Sequence, residues 1–414
     1  MSQRRPVAIL ALVVVTFGMG YFLSYFFRNV NAVLSPLIVD EFGLNATQIG
    51  FLTSIYFVMA VVTLIPVAIS LDRFGPRRVL LVQMVISGVG CVVFALGSSV
   101  AMLLIGRALI GIGVAGCLTT AFKAVTVWFP RDRWATGNSL VLGVGSIGVI
   151  AGTQPLQWLL ELVTWRDIFW LGLATCTATA LVALLAVPER NAPAPEVPTD
   201  GVYRKVLSLP LFWRLMPVAS LSMAVYFSIQ GLWANAWMAD VAGLTQAEVG
   251  QRLLVMALAM SCGMLLNGTI ADVLTSVGLP LALVMAVGFS SLLISQLVLV
   301  TEFAPRAFWP WAVMGFTGNV GALAYPLLIR QFPSSVSARA ISVLAMCNFG
   351  LAFLVQFLLG WILDLWGQTA DGAYPAVAYG VGIGLFLGLQ ALTFVWFLLS
   401  RDVWVISRSI EDAA

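Results

Sequence analysis

Three basic residues stand inside apolar stretches of this 414-residue chain: Arg28, Arg107 and Lys123. A charge at bilayer depth costs at least about 2–3 kcal/mol, so it normally faces a cavity and marks a site. Tyr21 and Tyr25 precede Arg28 by seven and three residues, which puts all three on one helical face able to line a polar path. A guanidinium presents a planar fork of donors that matches carboxylate or phosphate, so this face is the expected anion site. Snorkelling of Arg28 to a membrane surface is the structural alternative. Arg107 lies about 10 Å of helix rise inside the start of its own apolar stretch. It either assists in holding the anion or bonds backbone carbonyls of its own domain. Lys123 follows about 160° further around the helix and near its end, and is expected to snorkel.

Neutral polar groups in the second half are expected to complete the site. Tyr226, Gln230 and Trp233 share one helical face, and Asn319 stands within Gly318-Asn319-Val320-Gly321. The amides serve equally well as glue between helices. All eighteen carboxylates fall in loops or near helix ends, which leaves the apolar interior positive and favours an anionic solute. The same distribution poses a coupling problem, because proton-driven carriers use a titratable group inside the membrane. Asp240, Glu161 and Asp364, near helix ends, are the remote candidates. Uniport or anion exchange therefore stands level with proton symport.

An enzyme is disfavoured. The chain has no histidine, the commonest metal ligand and general base near neutral pH, and no catalytic residue, metal or cofactor is expected. The five cysteines (Cys91, Cys117, Cys176, Cys262, Cys347) fall in apolar runs without metal-ligand spacing and are odd in number, so they read as packing residues.

The elements that must position these groups are membrane helices. Hydrophobic residues make up 61% of the chain and charged residues 9%, with mean hydropathy +1.00. Long apolar runs without a period of two select α-helices over a barrel. Runs bounded by Pro, Gly and charge predict twelve: 7–36, 48–71, 79–96, 100–127, 135–160 and 165–187, then 213–238, 249–271, 279–300, 308–329, 340–363 and 379–399. The first apolar stretch runs too long, and lacks a small-residue cleavage pattern, for a secretory signal. Residues 188–208, rich in Pro, Ala and charge, read as a linker between an N-terminal bundle (1–187) and a C-terminal bundle (209–414). With both termini cytoplasmic, fifteen Lys and Arg lie on the inner side and three (Arg166, Arg252, Arg306) outside, as the positive-inside rule requires. The net charge of +3 is too small and dispersed for nucleic-acid binding.

The halves also match one another at an offset near 200 residues. Trp128-Phe129-Pro130 answers Gln331-Phe332-Pro333, and Asp72 answers Asp272. A six-plus-six duplication is the plan of carriers that rock about a midplane site. The loop after the second helix reads Asp72-Arg73-Phe74-Gly75-Pro76-Arg77-Arg78. Its carboxylate can cap a neighbouring helix and pair with arginines, and Gly75 permits a tight turn. The alternative is that these arginines only obey the charge rule.

This loop resembles the signature loop of the major facilitator superfamily, with Ala68 where the pattern has a leading glycine. In the second half Gly268 and Asp272 are present without the basic residues. Arg107-Ala-Leu-Ile-Gly111-Ile-Gly113 looks like the fourth-helix motif of that superfamily, and the Trp128-Phe129-Pro130 exit is common in its bacterial members. The resemblance, which covers essentially the whole chain, implies an all-α membrane protein of twelve helices in two pseudo-symmetric bundles. It implies a secondary transporter of a bacterial inner membrane, working by alternating access, with the lipid bilayer and a small solute as partners and a monomer as the working unit. Residues Arg28 to Pro36 are similar to the first-helix segment of the anion:cation symporter branch. That likeness assigns the anion to Arg28. The aspartate used there for proton coupling is replaced by Phe27, and the fourth-helix glutamate by Val114.

Asp72, Arg73, Gly75, Arg77 and Arg78 are thus the expected gating loop. Carriage of a neutral or larger metabolite such as a siderophore, and a receptor that binds without net flux, fit the same residues. Val149 follows Gly148 where drug:proton antiporters carry a Gly-Pro pair, which argues against drug export.

Overall fold

The protein is seen in a computed structural model that describes residues 4–189, 202–329, 334–400 and 402–404. Most of the expected linker, residues 190–201, and the Gln331-Phe332-Pro333 loop lie outside the described residues. Helices account for the regular structure, with no strand among the described residues. The chain divides into two compact units, Met1–Leu44 with Leu52–Pro195 and Asn45–Phe51 with Glu196–Ala414.

In the first unit α1 (Arg4–Asn29) runs through Arg28 and continues as α2 (Asn31–Phe42). Val30, between them, keeps helical angles, and Leu34 donates to its carbonyl at 3.0 Å. The predicted end at residue 36 is therefore early. Proline removes one donor and bends a helix, but here the helix carries Pro36 inside it and stops at Gly43, whose left-handed φ of 61° suits a glycine cap. The fifty-residue α3 (Ala46–Ala95) contains two of the expected spans. They are joined at Gly75, whose φ of 76° and ψ of 164° reverse the chain with a single residue.

The fourth predicted helix is bent at Ala115-Gly116 into α4 (Val100–Val114) and α5 (Cys117–Trp128). The fifth breaks at Gly152-Thr153 into α6 (Trp134–Ala151) and α7 (Gln154–Leu160). α8 (Trp165–Leu185) opens on a capping box in which Thr164 and Asp167 satisfy each other's backbone donors.

The second unit opens with α9 (Val202–Leu207) and α10 (Pro210–Ser228). A π-helical turn, Ile229–Trp233, leads to α11 (Ala234–Asp240). Then follow α12 (Gln246–Ser276) and α13 (Leu281–Val300). α14 (Trp309–Thr317) and α15 (Ala324–Ile329) are separated by a 3-10 turn, Val320–Leu323. The last two are α16 (Ser334–Asp364) and α17 (Ala376–Leu398). Among the described residues ten helices are long and apolar enough to cross a membrane. α3 holds two of the expected spans, and the interrupted α14–α15 pair supplies one that length alone misses. The result is an all-α, twelve-helix membrane protein.

These helices are apolar on every side. In α3 Leu80, Met84 and Cys91 are buried while Val82, Val85 and Val89 are exposed, as expected where hydrocarbon is the solvent. With no hydrophobic drive between helices in lipid, close backbone approach and hydrogen bonds must hold the units together. In the first unit α1 lies on α6. A Cβ at Gly145 would strike the Tyr21 ring, and one at Gly148 would strike the Phe22 carbonyl. In the second unit Gly263 meets the Phe316 carbonyl and Gly315 that of Met256, bringing α12 and α14 together. Gln296 of α13 and Gln390 of α17, both fully buried, exchange amide bonds of 3.2 and 2.7 Å.

Charges staple the helix ends. Arg166 and the Trp165 indole converge on Glu41, with bonds of 2.9 and 2.8 Å, and Arg166 also reaches the Gly97 carbonyl. Arg252 donates to the carbonyls of Glu248 (3.0 Å) and Arg306 (2.6 Å) and stacks on Phe308.

Candidate functional site

Arg28 lies fourteen residues before the end of α2, about 21 Å of rise, which places it deep in its helix. It is 9% exposed, and its guanidinium sits 4.2 Å from the centre of the Tyr25 ring. Tyr21 packs on Tyr25 at 4.7 Å, so the two tyrosines and the arginine form a continuous column along α1. A cation over an aromatic face is attracted to the ring's negative centre.

Arg107 approaches the same helix from α4. It is 1% exposed, and its Nη1 donates to the Phe27 carbonyl at 2.7 Å, one residue from Arg28. Its Nε has no hydrogen-bond partner among the described residues. Tyr56 of α3 closes this corner: its ring is 5.3 Å from the Arg107 guanidinium, and its hydroxyl bonds Ser24 at 3.0 Å and the Ser24 carbonyl at 3.1 Å. Asn29 donates back to the Tyr25 carbonyl at 2.8 Å. Two buried guanidiniums thus flank one turn of α1, in a region where residues 1–39 and 73–131 carry no carboxylate. Sequence reasoning did not single out Tyr56 or Ser24. An aromatic and a serine inside an apolar run carry no signal until the fold faces them toward an arginine.

A second buried polar group lies further along the unit. Thr120 donates to Gln83 Oε1 at 3.0 Å, and Cys117 contacts the same oxygen at 3.9 Å. Beyond it Lys123 reaches Asp72 at 2.9 Å. In reaching toward the helix end Lys123 meets Asp72, the carboxylate of the expected gating loop, within its own unit. Arg77 donates through Nε to the Ala183 carbonyl (3.0 Å) and through Nη2 to that of Leu184, closing the C-terminus of α8. Arg78 bonds Glu189, and Arg73 lies 5.1 Å from the Phe74 ring. The loop is thus held to α5 through Asp72 and to the end of α8 through Arg77.

In the second unit the polar residues divide. Tyr226 is fully buried with its ring packed on Gly318, at the break after α14. Trp233 donates its indole N–H to the Gln356 carbonyl at 3.1 Å. Gln230 sits inside the π turn, with Nε2 3.2 Å from the Met260 sulfur and Oε1 without a hydrogen-bond partner among the described residues. The π turn inserts an extra residue per turn, so the helical face expected for Tyr226, Gln230 and Trp233 does not run unbroken past Gln230. Asn319 stands at the start of the 3-10 turn, and its buried Nδ2 also lacks a hydrogen-bond partner among the described residues. Gln230 and Asn319 are thus the two residues of this set with an open amide atom.

Residues 17–327 match the family model of the Major Facilitator Superfamily. Over 147 residues the chain is 33% identical to the uncharacterized transporter YybO of Bacillus subtilis, covering 36% of this chain and 34% of that protein. Over 149 residues it is 30% identical to the probable sulfoacetate transporter SauU of Cupriavidus necator, covering 36% of this chain and 35% of that one. A longer, weaker likeness, 23% over 397 residues, joins 93% of the chain to 69% of the multidrug resistance protein Stp of Mycobacterium tuberculosis. In three dimensions the chain is similar to the inward-facing, unoccupied crystal structure of a bacterial homolog of the human lysosomal transporter Spinster. The TM-score is 0.69 at 20% identity, over 97% of each chain, which is a likeness of fold.

Proposed function

The chain belongs to the major facilitator superfamily, and on that premise we propose that the solute it carries is a small anion bound at Arg28. It is a membrane transporter and not an enzyme. The observation that carries the anion reading is the pair of buried guanidiniums, Arg28 on α1 and Arg107 bonded to the same turn from α4, each in a stretch of sequence free of carboxylates. Arg28 holds the anion through its in-plane donors while Tyr25 and Tyr21 shape the approach. Arg107, bonded to the Phe27 carbonyl, fixes that turn and adds to the positive field. Within the second unit Gln230 and Asn319 each keep an amide atom without a hydrogen-bond partner among the described residues, with Tyr226 packed on Gly318 and Trp233 bonded to the Gln356 carbonyl, and all four stay candidates for contact with the solute. One relative is named for sulfoacetate, itself an anion, which is in keeping with this reading.

The same proposal carries the bacterial inner membrane, cytoplasmic termini and a monomer of two bundles (1–187 and 209–414) moving by alternating access. Asp72, Arg73, Gly75, Arg77 and Arg78 set the balance of the two states. The multidrug name of a relative matched over 93% of the chain favours a second reading, export of a larger or neutral compound.

The test is thermal-shift screening of purified protein against organic acids, phosphates, neutral solutes and cations, followed by uptake and exchange in proteoliposomes. Stabilisation by anions that is lost in Arg28→Ala, with flux of the same compounds, is the expected result. Stabilisation only by neutral or cationic compounds overturns the anion reading.

A further inference from the structure

Two carboxylates at one end of the second unit share a tyrosine. Asp240 ends α11 and Asp364 ends α16. Tyr374, in the connection from α16 to α17, donates its backbone N–H to Asp240 Oδ2 at 3.1 Å and its hydroxyl to Asp364 Oδ1. Tyr379, in the first turn of α17, donates its hydroxyl to the same Asp240 oxygen at 2.7 Å. Asp364 is more heavily engaged. It also accepts the Ala46 N–H at 3.1 Å, the Thr47 N–H at 2.8 Å and the Thr47 hydroxyl. The Ala46 N–H is shared with the Tyr374 hydroxyl oxygen at 3.0 Å. Asp364 and Tyr374 together therefore cap the first turn of α3, the segment Asn45–Phe51 that belongs with this unit.

The two acids stand in unequal settings. Four donors and a helix N-terminus favour the anion at Asp364. Asp240 accepts two hydrogen bonds, both on one oxygen, and lies across Tyr374 from the Asp364 charge, so a proton entering this cluster goes to Asp240 first. The groups that face Asp240 are Tyr379 from α17 and Tyr374 from the connection, with Asp364 beyond. On the loop before α14 Arg306 is engaged by the carbonyls of Ala242 (3.3 Å) and Gly243 (3.4 Å). Burial and the bond to Asp364 push the Tyr374 hydroxyl up to about 12, so it remains a donor throughout the neutral range.

We propose that Asp240 is a proton-binding site whose occupancy is relayed by Tyr374 to the cap on α3. A proton taken from bulk water turns the Asp240 carboxylate into a carboxylic acid, which is a weaker acceptor for the Tyr374 N–H. The Tyr374 backbone is then freed, its hydroxyl draws away from Asp364 and Ala46, and the first turn of α3 loses part of its cap. This would place a proton-responsive element outside the arginine site, and its readout requires no solute, so its failure leaves the transport reading untouched.

Hydrogen exchange of the full chain in detergent tests it, with rates corrected for the intrinsic effect of pH. Peptides covering 44–51 and 373–380 are expected to lose roughly tenfold in protection between about pH 8 and about pH 5.5 as one proton binds. Asp240→Asn should show the acid-level protection at both ends of that range. Tyr379→Phe removes a donor to the anion and keeps the site, so the midpoint should rise by about one pH unit. Asp364→Asn should expose Ala46 and Thr47 at every pH while the step at 373–380 persists. Flat protection in the wild type, a step that survives Asp240→Asn, or a midpoint that falls in Tyr379→Phe overturns the proposal.

Discussion

The Gln296–Gln390 pair gives the sharpest stability prediction, because its two members are not equivalent. Each amide donates to the other, but Gln390 Nε2 also reaches the Phe386 carbonyl at 3.2 Å, one turn back on its own helix. Replacing Gln390 by leucine strips Gln296 of both inter-helix bonds and leaves its amide in an apolar interior. Replacing Gln296 leaves Gln390 with its local bond. A membrane hydrogen bond contributes about 0.6–1.7 kcal/mol, and an orphaned buried amide costs about 1–3 kcal/mol. We therefore expect Gln390→Leu to lose ~2 kcal/mol, Gln296→Leu ~1 kcal/mol, and the double leucine variant no more than ~1 kcal/mol, since two apolar partners leave nothing unpaired. The cycle is measured by reversible unfolding in mixed micelles with increasing dodecyl sulfate, followed by tryptophan fluorescence. Single losses that sum to the double loss within about 0.5 kcal/mol would show that the amides do not act as a pair and would refute the reasoning.

Other substitutions probe the first unit. Gly148→Ala places a methyl group on the Phe22 carbonyl and should cost about 1–3 kcal/mol, whereas Gly143→Ala, with nothing within 4 Å, should be silent in the same assay. Arg77→Ala frees the Ala183 and Leu184 carbonyls and should lower hydrogen-exchange protection at the end of α8; Arg77→Lys, lacking the two-pronged donor, should restore little of it. The bonded Arg166 guanidinium holds the Glu41 carboxyl below the usual carboxylate range. Its contribution is then fully present above the ordinary value and lost as pH falls through the folded one, so Glu41→Gln should lower stability at neutral pH and leave the acid end little changed, which flattens the acid side of a stability–pH curve. Unchanged acid sensitivity in Glu41→Gln would assign that limb to other groups.

Twelve helices and their order were legible because apolar runs are long and the breaks between them carry charge, Gly or Pro. Glycines at 116, 152 and 318 mark places where α4–α5, α6–α7 and α14–α15 part, yet a glycine in an apolar run reads equally as packing, and only the backbone distinguishes the two. Pro36 misled for the opposite reason: read as a stop, it proved to be an internal residue of α2. The π turn at Ile229–Trp233 has no signature in hydropathy, so the shared face drawn through Gln230 was an α-helical extrapolation. Arg28 stood out as a charge in an apolar stretch. Its neighbours Tyr56 and Ser24, and the link from Lys123 to Asp72, depend on which helices meet, and pairings between distant segments are not written in the local pattern of a single chain.

The glycine seam between α1 and α6 has a mechanical side. From Gly18 against the Val144 side chain, through the Tyr21 ring on Gly145, to the Phe22 carbonyl on Gly148, α1 is keyed into its neighbour wherever one of the two helices has no side chain of its own. Such a pair bends as one beam. Arg28, a turn and a half beyond the last of these teeth, cannot be re-aimed by flexing α1 alone; turning its charge means swinging α6 with it. The seam therefore works as the axle of the site. A wedge driven in at Gly148 would tilt the guanidinium without touching it, so an anion held at Arg28 as proposed would bind with changed affinity although Arg28 itself had not been altered.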